Sequence, residues 1–256
     1  MPIAMLRRVA DTFDRAITLD PTIKPDVALA RNQHNTYSRL LSEAGFELDL
    51  LPPDERFPDS VFVEDAAVMV GDVAVITRPG AEARRGETVA VAERLSRHFR
   101  LFEIEPPGTI DGGDVLIIGR TLYVGLSQRT NRSGIGKLTT VARDQGMQVV
   151  SVPVVGALHL KSVVLPVADE MVVVTEGAVD ESLLDGLEII REDPEERMQF
   201  SALPLGGDRV LVTASAPRTA GSVEKRGLEM VPIDISEFQI ADGGLTCMSI
   251  LFDQAI

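Results

Sequence analysis

Residues 61–77 read VFVEDAAVMVGDVAVIT, and residues 109–125 read TIDGGDVLIIGRTLYVG. Each is a pair of apolar runs around a tight turn, at Gly71-Asp72 and Gly119-Arg120, the signature of a β-hairpin. The pattern returns at 159–175 (HLKSVVLPVADEMVVVT), turning near Ala168-Asp169-Glu170, and at 200–214 (FSALPLGGDRVLVTA), turning at Gly206-Gly207-Asp208. Four hairpins of one design make an internal repeat, and the repeat decides the fold.

Working outward, helix-like stretches followed by short apolar strands fill the gaps. Residues 81–99 read as an amphipathic helix with Val89, Val91, Leu95 and Phe99 toward one side, followed by a strand at 101–104. Residues 133–145 and 216–226 are further helices, leading into strands at 148–152 and 229–233, and the longest helix, 25–44, precedes 46–51. Each unit thus runs hairpin, helix, strand at intervals of roughly forty to fifty residues, a period typical of repeat architectures. A fifth hairpin is split between the ends: 244–252 (GLTCMSILF) has no partner after it, and 5–9 has none before it. Pairing the two closes a ring and leaves no sheet edge open. The expectation is an α/β ring of five ββαβ-type units in one domain over residues 1–256, with an open α/β sheet as the alternative. Pro52-Pro53 and Pro106-Pro107 read as turns within the pattern, not linkers.

Composition narrows the chemistry. The chain has 256 residues, with 25 Lys and Arg against 39 Asp and Glu, a formal charge of −14. That surplus argues against a nucleic-acid backbone or an anionic membrane as partner, since both need basic patches. A single cysteine, Cys247, excludes an intrachain disulfide and cysteine-rich zinc sites. The N-terminal residues carry no apolar stretch of signal length, and the default compartment is the cytoplasm.

In a ring of repeats, polar residues at matching phase meet on the axis. Glu64-Asp65 open the first hairpin, Asp111 to Asp114 the second, His159 the third, and Cys247 lies in the split fifth. Singly, a cysteine among apolar neighbours is a small hydrophobe, and an Asp-Gly segment is a turn. Glu64-Asp65 within an apolar run is harder to explain away, because an unpaired carboxylate is costly to bury. Together these groups supply a nucleophile, a proton carrier and its acidic partner. The remaining carboxylates suit a planar cationic guanidinium, whose charge also favours the thiolate.

The segments PDSVFVED (58–65), TRPGAEARR (77–85), IDGGDVL (110–116), GLSQRTN (125–131), HLKS (159–162) and GGLTCMS (243–249) resemble the dimethylarginine dimethylaminohydrolases. The resemblance covers nearly the whole chain and implies the five-fold pentein propeller of the guanidine-modifying superfamily. It implies Cys247 as nucleophile, His159 as general acid and base, and Asp111 as its acidic partner. It also implies Asp65 as the guanidinium-binding carboxylate with Glu64 beside it, and Arg84 and Arg129 on the substrate α-carboxylate. Asp59 corresponds to the residue near the α-amino group, and Ile17 to the one whose backbone closes over the substrate. No metal or organic cofactor is implied; the partner is a methylated arginine, and a homodimer is a family-level expectation. Arginine deiminases of the superfamily carry Asp two residues after the histidine, where this chain has Lys161. Deimination of another guanidine, and a catalytically idle amino-acid-binding propeller, are the rival readings.

Overall fold

Apolar runs on either side of a tight turn form the expected hairpins, and the strand after each hairpin joins its second arm in parallel. The computed structural model describes residues 1–253, and within them lie five three-stranded sheets of one design. The first two full units are β3 (Ala67–Val70), β4 (Val73–Ile76) and β5 (Arg100–Glu103), then β6 (Val115–Ile118), β7 (Thr121–Leu126) and β8 (Gln148–Pro153). The next two are β9 (Val164–Ala168), β10 (Met171–Val174) and β11 (Glu188–Arg191), then β12 (Ala202–Gly206), β13 (Arg209–Thr213) and β14 (Glu229–Ile233). The fifth sheet joins the two ends of the chain: β1 (Pro2–Arg7) lies between β2 (Glu47–Leu51), in parallel, and β15 (Ile250–Asp253), antiparallel with Met5 opposite Ile250. Every inner strand contributes to one common cavity of about 260 Å³, through Val68, Leu116, Pro166, Leu203 and Leu251 among others. The ring is closed, and the open-sheet alternative is excluded.

The helices pack outside the sheets. α1 (Val27–Glu43) starts after Asp26, whose carboxylate caps the Ala28 and Leu29 N–H groups. It buries Ala30, Gln33, His34, Tyr37 and Leu41 at helical spacing. α3 (Arg132–Asp144) is capped by Asn131 through Gly134 N–H, and α4 (Pro217–Glu224) opens on proline at a position that needs no N–H donor.

Three local expectations are corrected. The stretch 81–99 is a 3₁₀ segment, Glu82–Glu87, followed by a short α2 (Thr88–Leu95), and Val89 stands 69% exposed while Val91 and Leu95 are buried. The third unit has no α-helix. A single 3₁₀ turn, Glu181–Leu184, fills its gap, bracketed by Gly177 and Gly186 at φ 75° and 84°, so the segment is too short and too often turned for a helix. Finally, Glu64-Asp65 and Cys247 do not lie within strands. They occupy 3₁₀ turns, Val63–Ala66 and Thr246–Met248, matched by Gly112–Asp114 and Leu160–Ser162 in the second and third units. A fifth helix, α5 (Ser236–Ile240), went unread. Among the described residues, no helix is long and apolar enough to cross a membrane.

Candidate active site

A 3₁₀ turn just ahead of four of the five inner strands, β3, β6, β9 and β15, throws its side chains toward the ring axis, and these four turns bring the chemistry together. Cys247 sits on a turn held from three directions. Tyr37 of α1, fully buried, donates its hydroxyl to Leu245 O at 2.8 Å and pairs with Ser249 Oγ at 2.8 Å. Ser201 Oγ accepts Leu245 N–H at 2.8 Å, and the Gly244 N–H points to Cys247 Sγ at 3.3 Å. Cys247 keeps an opening to the cavity, yet burial, reinforced by Glu64 and Asp65, pushes its thiol up to about 12.

His159 is bound through Nε2 to Asp111 Oδ2 at 2.9 Å, and the other Asp111 oxygen accepts Gly80 N–H at 2.8 Å. Burial opposes a charge on His159, but Asp65, Asp111 and Asp114 outweigh it and lift the imidazole to about 9. Close approach here depends on glycine: a Cβ on Gly113 would lie 2.7 Å from His159 Nδ1, and one on Gly112 only 1.9 Å from Glu64 O. Because the folded pKa lies above the ordinary 6.5, the imidazolium contributes stability in full below about pH 6.5 and loses it as pH rises through 9. Unfolding free energy measured in denaturant should therefore fall by a few kcal/mol, on the order of 1.4 per pKa unit, between those pH values. A His159→Gln variant should lose most of that fall, keeping only the smaller slope near pH 7 from Glu87, whose carboxyl burial raises to about 7.

Asp65 is the centre of the carboxylate side. Its Oδ1 accepts Gly113 N–H at 2.9 Å and its Oδ2 pairs with Arg84 at 2.6 Å. Burial works against its charge, but His159, Arg84 and the Gly113 N–H overcome it and hold the acid at about 2. Arg84 is 5% exposed and committed: beyond Asp65 it donates to both oxygens of Glu87, and to Phe62 O at 3.1 Å. Its neighbour Arg85 turns away, to Pro79 O and Glu82. Arg129 differs: its Nη1 lies 3.6 Å from Asp111 and has no hydrogen-bond partner among the described residues.

Ile17, Asp59, Asp65, Arg84, Arg129, His159 and Cys247 all line one narrow cavity with about 20 Å³ of free space, room for roughly one water. Its cover is pinned: Ile17 N–H binds Asp59 Oδ1 at 3.0 Å, Thr18 Oγ1 donates to Ile240 O, and Leu19 N–H binds Asp242. Asp111 stands behind the wall through its bond to His159. Glu64 sits apart from this cavity, its oxygens taken by Lys161 at 2.6 Å and Thr246 Oγ1 at 3.0 Å. Asp65, Asp111 and His159 bring ligand atoms within 4.8 Å of one another. Every carboxylate oxygen of that trio already has an N–H or imidazole partner, so we assign it no metal. The sequence reading missed Glu87, hidden in the presumed helix, and gave no separate role to Asp114, although its position in IDGGDVL was on view.

Five hairpin-led units closed around cysteine, histidine and carboxylates define the pentein α/β propeller. Solved structures agree: the chain superposes on a Pseudomonas aeruginosa dimethylarginine dimethylaminohydrolase, a cysteine-to-serine mutant complexed with citrulline, with TM-score 0.93, 34% identity and coverage of 97% and 98% of the two chains. The N-terminal domain of a cyanobacterial arginine dihydrolase shares the fold at TM-score 0.87 and 18% identity, covering 99% of this chain and 98% of that one. The chain belongs to the dimethylarginine dimethylaminohydrolase family. The family profile described as "N,N dimethylarginine dimethylhydrolase, eukaryotic" matches residues 7–202. Dimethylarginine dimethylaminohydrolases of P. aeruginosa and Streptomyces coelicolor are 38% and 43% identical, over 90% and 89% of this chain and 91% and 87% of theirs.

Proposed function

We propose that this protein hydrolyses Nω-methylated arginines, Nω,Nω-dimethyl-L-arginine and Nω-methyl-L-arginine, to L-citrulline and the corresponding alkylamine. The observation that carries the reading is the single cavity shared by Cys247, His159, Asp65 and Arg129. We read residues 1–256 as one domain, because the ring needs both β1 and β15.

The substrate enters as a cation. Its guanidinium lies against Asp65, and Arg129, with an unpartnered N–H, takes the α-carboxylate. Asp59 receives the α-amino group, and the Ile17 backbone closes over the chain. With room for about one water in the cavity, the pinned 17–19 segment gives way as the substrate arrives. Arg84, which the sequence reading placed beside Arg129, spends its donors on Asp65 and Glu87, so its main effect is to keep Asp65 ionised and aimed. Glu64 acts from the side, neutralised by Lys161.

A thiol at about 12 is not a nucleophile at neutral pH. A bound guanidinium beside it supplies the positive charge that favours the thiolate, the thiol proton passing to solvent as the substrate binds. The thiolate adds to the guanidinium carbon while His159, oriented by Asp111, protonates the departing dimethylamine. This leaves an S-alkylthiouronium on Cys247. His159, now neutral, takes a proton from water, whose oxygen adds to the same carbon. Collapse expels the thiolate, which takes up the hydroxyl proton and is again a thiol, and gives citrulline with His159 protonated again.

The test is citrulline formation from asymmetric dimethylarginine, with arginine as comparator. Arginine turned over better than dimethylarginine would favour the deiminase reading, and no product from either would favour the binding-protein reading. Lys161 speaks against a deiminase, because it ties up Glu64 where a second carboxylate clamp would stand. Inertness of Cys247 to iodoacetamide at neutral pH does not separate enzyme from binding protein, since the resting thiol is protonated in either case. Arg129→Ala should raise KM about ten- to a hundredfold with a smaller change in kcat, because a carboxylate contact is kept from ground state to transition state. Steady-state kinetics check this.

A further inference from the structure

Asp114, the last residue of the 3₁₀ turn 112–114, is fully buried and stands outside the substrate cavity. Its Oδ1 accepts the N–H of Leu160, the residue after His159, at 2.9 Å. Its Oδ2 accepts the hydroxyl of Ser127 at 2.6 Å. Ser127 Oγ in turn accepts the N–H groups of Arg129 at 3.0 Å and Thr130 at 3.1 Å. Thr130 Oγ1 returns to the Asp111 N–H at 3.1 Å. One carboxylate thus touches the turn behind the proton carrier and, through one hydroxyl, the loop of the arginine with a free N–H. The packing is tight: a Cβ on Gly125 would come within 2.3 Å of Asp114 Oδ1 and 3.0 Å of Leu160 Cβ.

The charges around His159 sharpen the point. Asp65 faces it with Arg84 as counter-ion, and Asp111 faces it with Arg129 at 3.6 Å. Two residues on, Lys161 is spent on Glu64, and Cys247 lies across the cavity as a neutral thiol. Asp114 has no Lys or Arg partner among the described residues. Burial pushes the Asp114 carboxyl up, and the charge that opposes this and keeps it ionised is the His159 imidazolium.

We propose that Asp114 is a positioning residue for the hydrolysis: through Leu160 and Ser127 it locks the His159 turn and the Arg129 loop into one geometry, and its unneutralised charge holds the proton on His159. This rests on the hydrolase reading above. A buried carboxylate with no metal or arginine is costly unless every lone pair is used, and here the two hydrogen bonds land on the two loops that matter to the reaction.

Two variants separate the roles. Asp114→Asn keeps the size and removes the charge. It should move the alkaline limb of the kcat/KM profile down by about one pH unit and lower kcat by roughly ten- to a hundredfold through misplacement of His159. Ser127→Ala keeps the charge and frees the Arg129 loop, so it should raise KM several-fold and leave the alkaline limb in place. The profiles are measured with dimethylarginine, well below the unfolding temperature of each variant. An Asp114→Asn enzyme that is merely less heat-stable, with wild-type kcat and pH limb, overturns the inference. Should that variant not fold, an unchanged KM in Ser127→Ala overturns it instead. Absence of citrulline from the wild type would strike the hydrolase reading, a different result from a wild type that works and variants that match it.

Discussion

Replacing Cys247 by serine should cut citrulline formation from dimethylarginine by at least about a thousandfold, while the folded protein still binds substrate. The serine hydroxyl is nearly isosteric, and the turn that carries it is held by Tyr37, Ser201 and Ser249, none of which depends on sulfur. What disappears is a nucleophile that a neighbouring cation can ionise. A thiol at about 12 lies within reach of a bound guanidinium, whereas an alkanol hydroxyl does not. Citrulline is assayed over hours and dimethylarginine binding by calorimetry. Turnover within tenfold of wild type in Cys247→Ser would sink covalent catalysis at this residue.

The second large effect concerns order. His159→Gly should lower the steady-state rate by about a hundred- to ten-thousandfold, the usual range for loss of a general acid and base. The loss should fall unevenly on the two halves of the reaction. With a substrate whose leaving group needs no protonation, such as S-methyl-L-thiocitrulline, attack by Cys247 proceeds and hydrolysis of the adduct stalls. Intact-protein mass spectrometry should then find the thiouronium on Cys247. Finding no adduct, with hydrolysis equally lost, would mean that His159 is needed before attack.

The ring was legible because its cues are local. Gly71 and Gly119 sit at the tips of apolar pairs, and each takes a positive φ, 60° and 56°, as hairpin turns demand. Cys247, His159 and the IDGGD segment fell at matching phase, so convergence followed from the repeat alone. What stayed hidden depends on distant partners or on backbone that apolar patterning cannot resolve. Nothing near Tyr37 in sequence says that its hydroxyl crosses to Leu245. The 3₁₀ turns resemble strand ends when only hydropathy is read, which put Glu64 and Cys247 in strands. The resemblance put Arg84 on the substrate α-carboxylate, and nothing in an amphipathic helix over 81–99 pairs it with Glu87. A 3₁₀ segment there curls both side chains inward instead. Charge pairing, which decides what each arginine can still do, is a tertiary property.

The antiparallel pairing of β1 with β15, Met5 opposite Ile250, has a consequence for biosynthesis. β1 leaves the ribosome long before its partner β15, and Cys247 lies just ahead of β15. Until it emerges, the growing chain displays an unsatisfied β1 edge and a cleft lacking its nucleophile. Such far-apart pairing is entropically expensive and slow to form, and open edges invite association with other chains. The same closing step that quenches this hazard delivers the thiol, so a chain caught before closure has no means of modifying a guanidine.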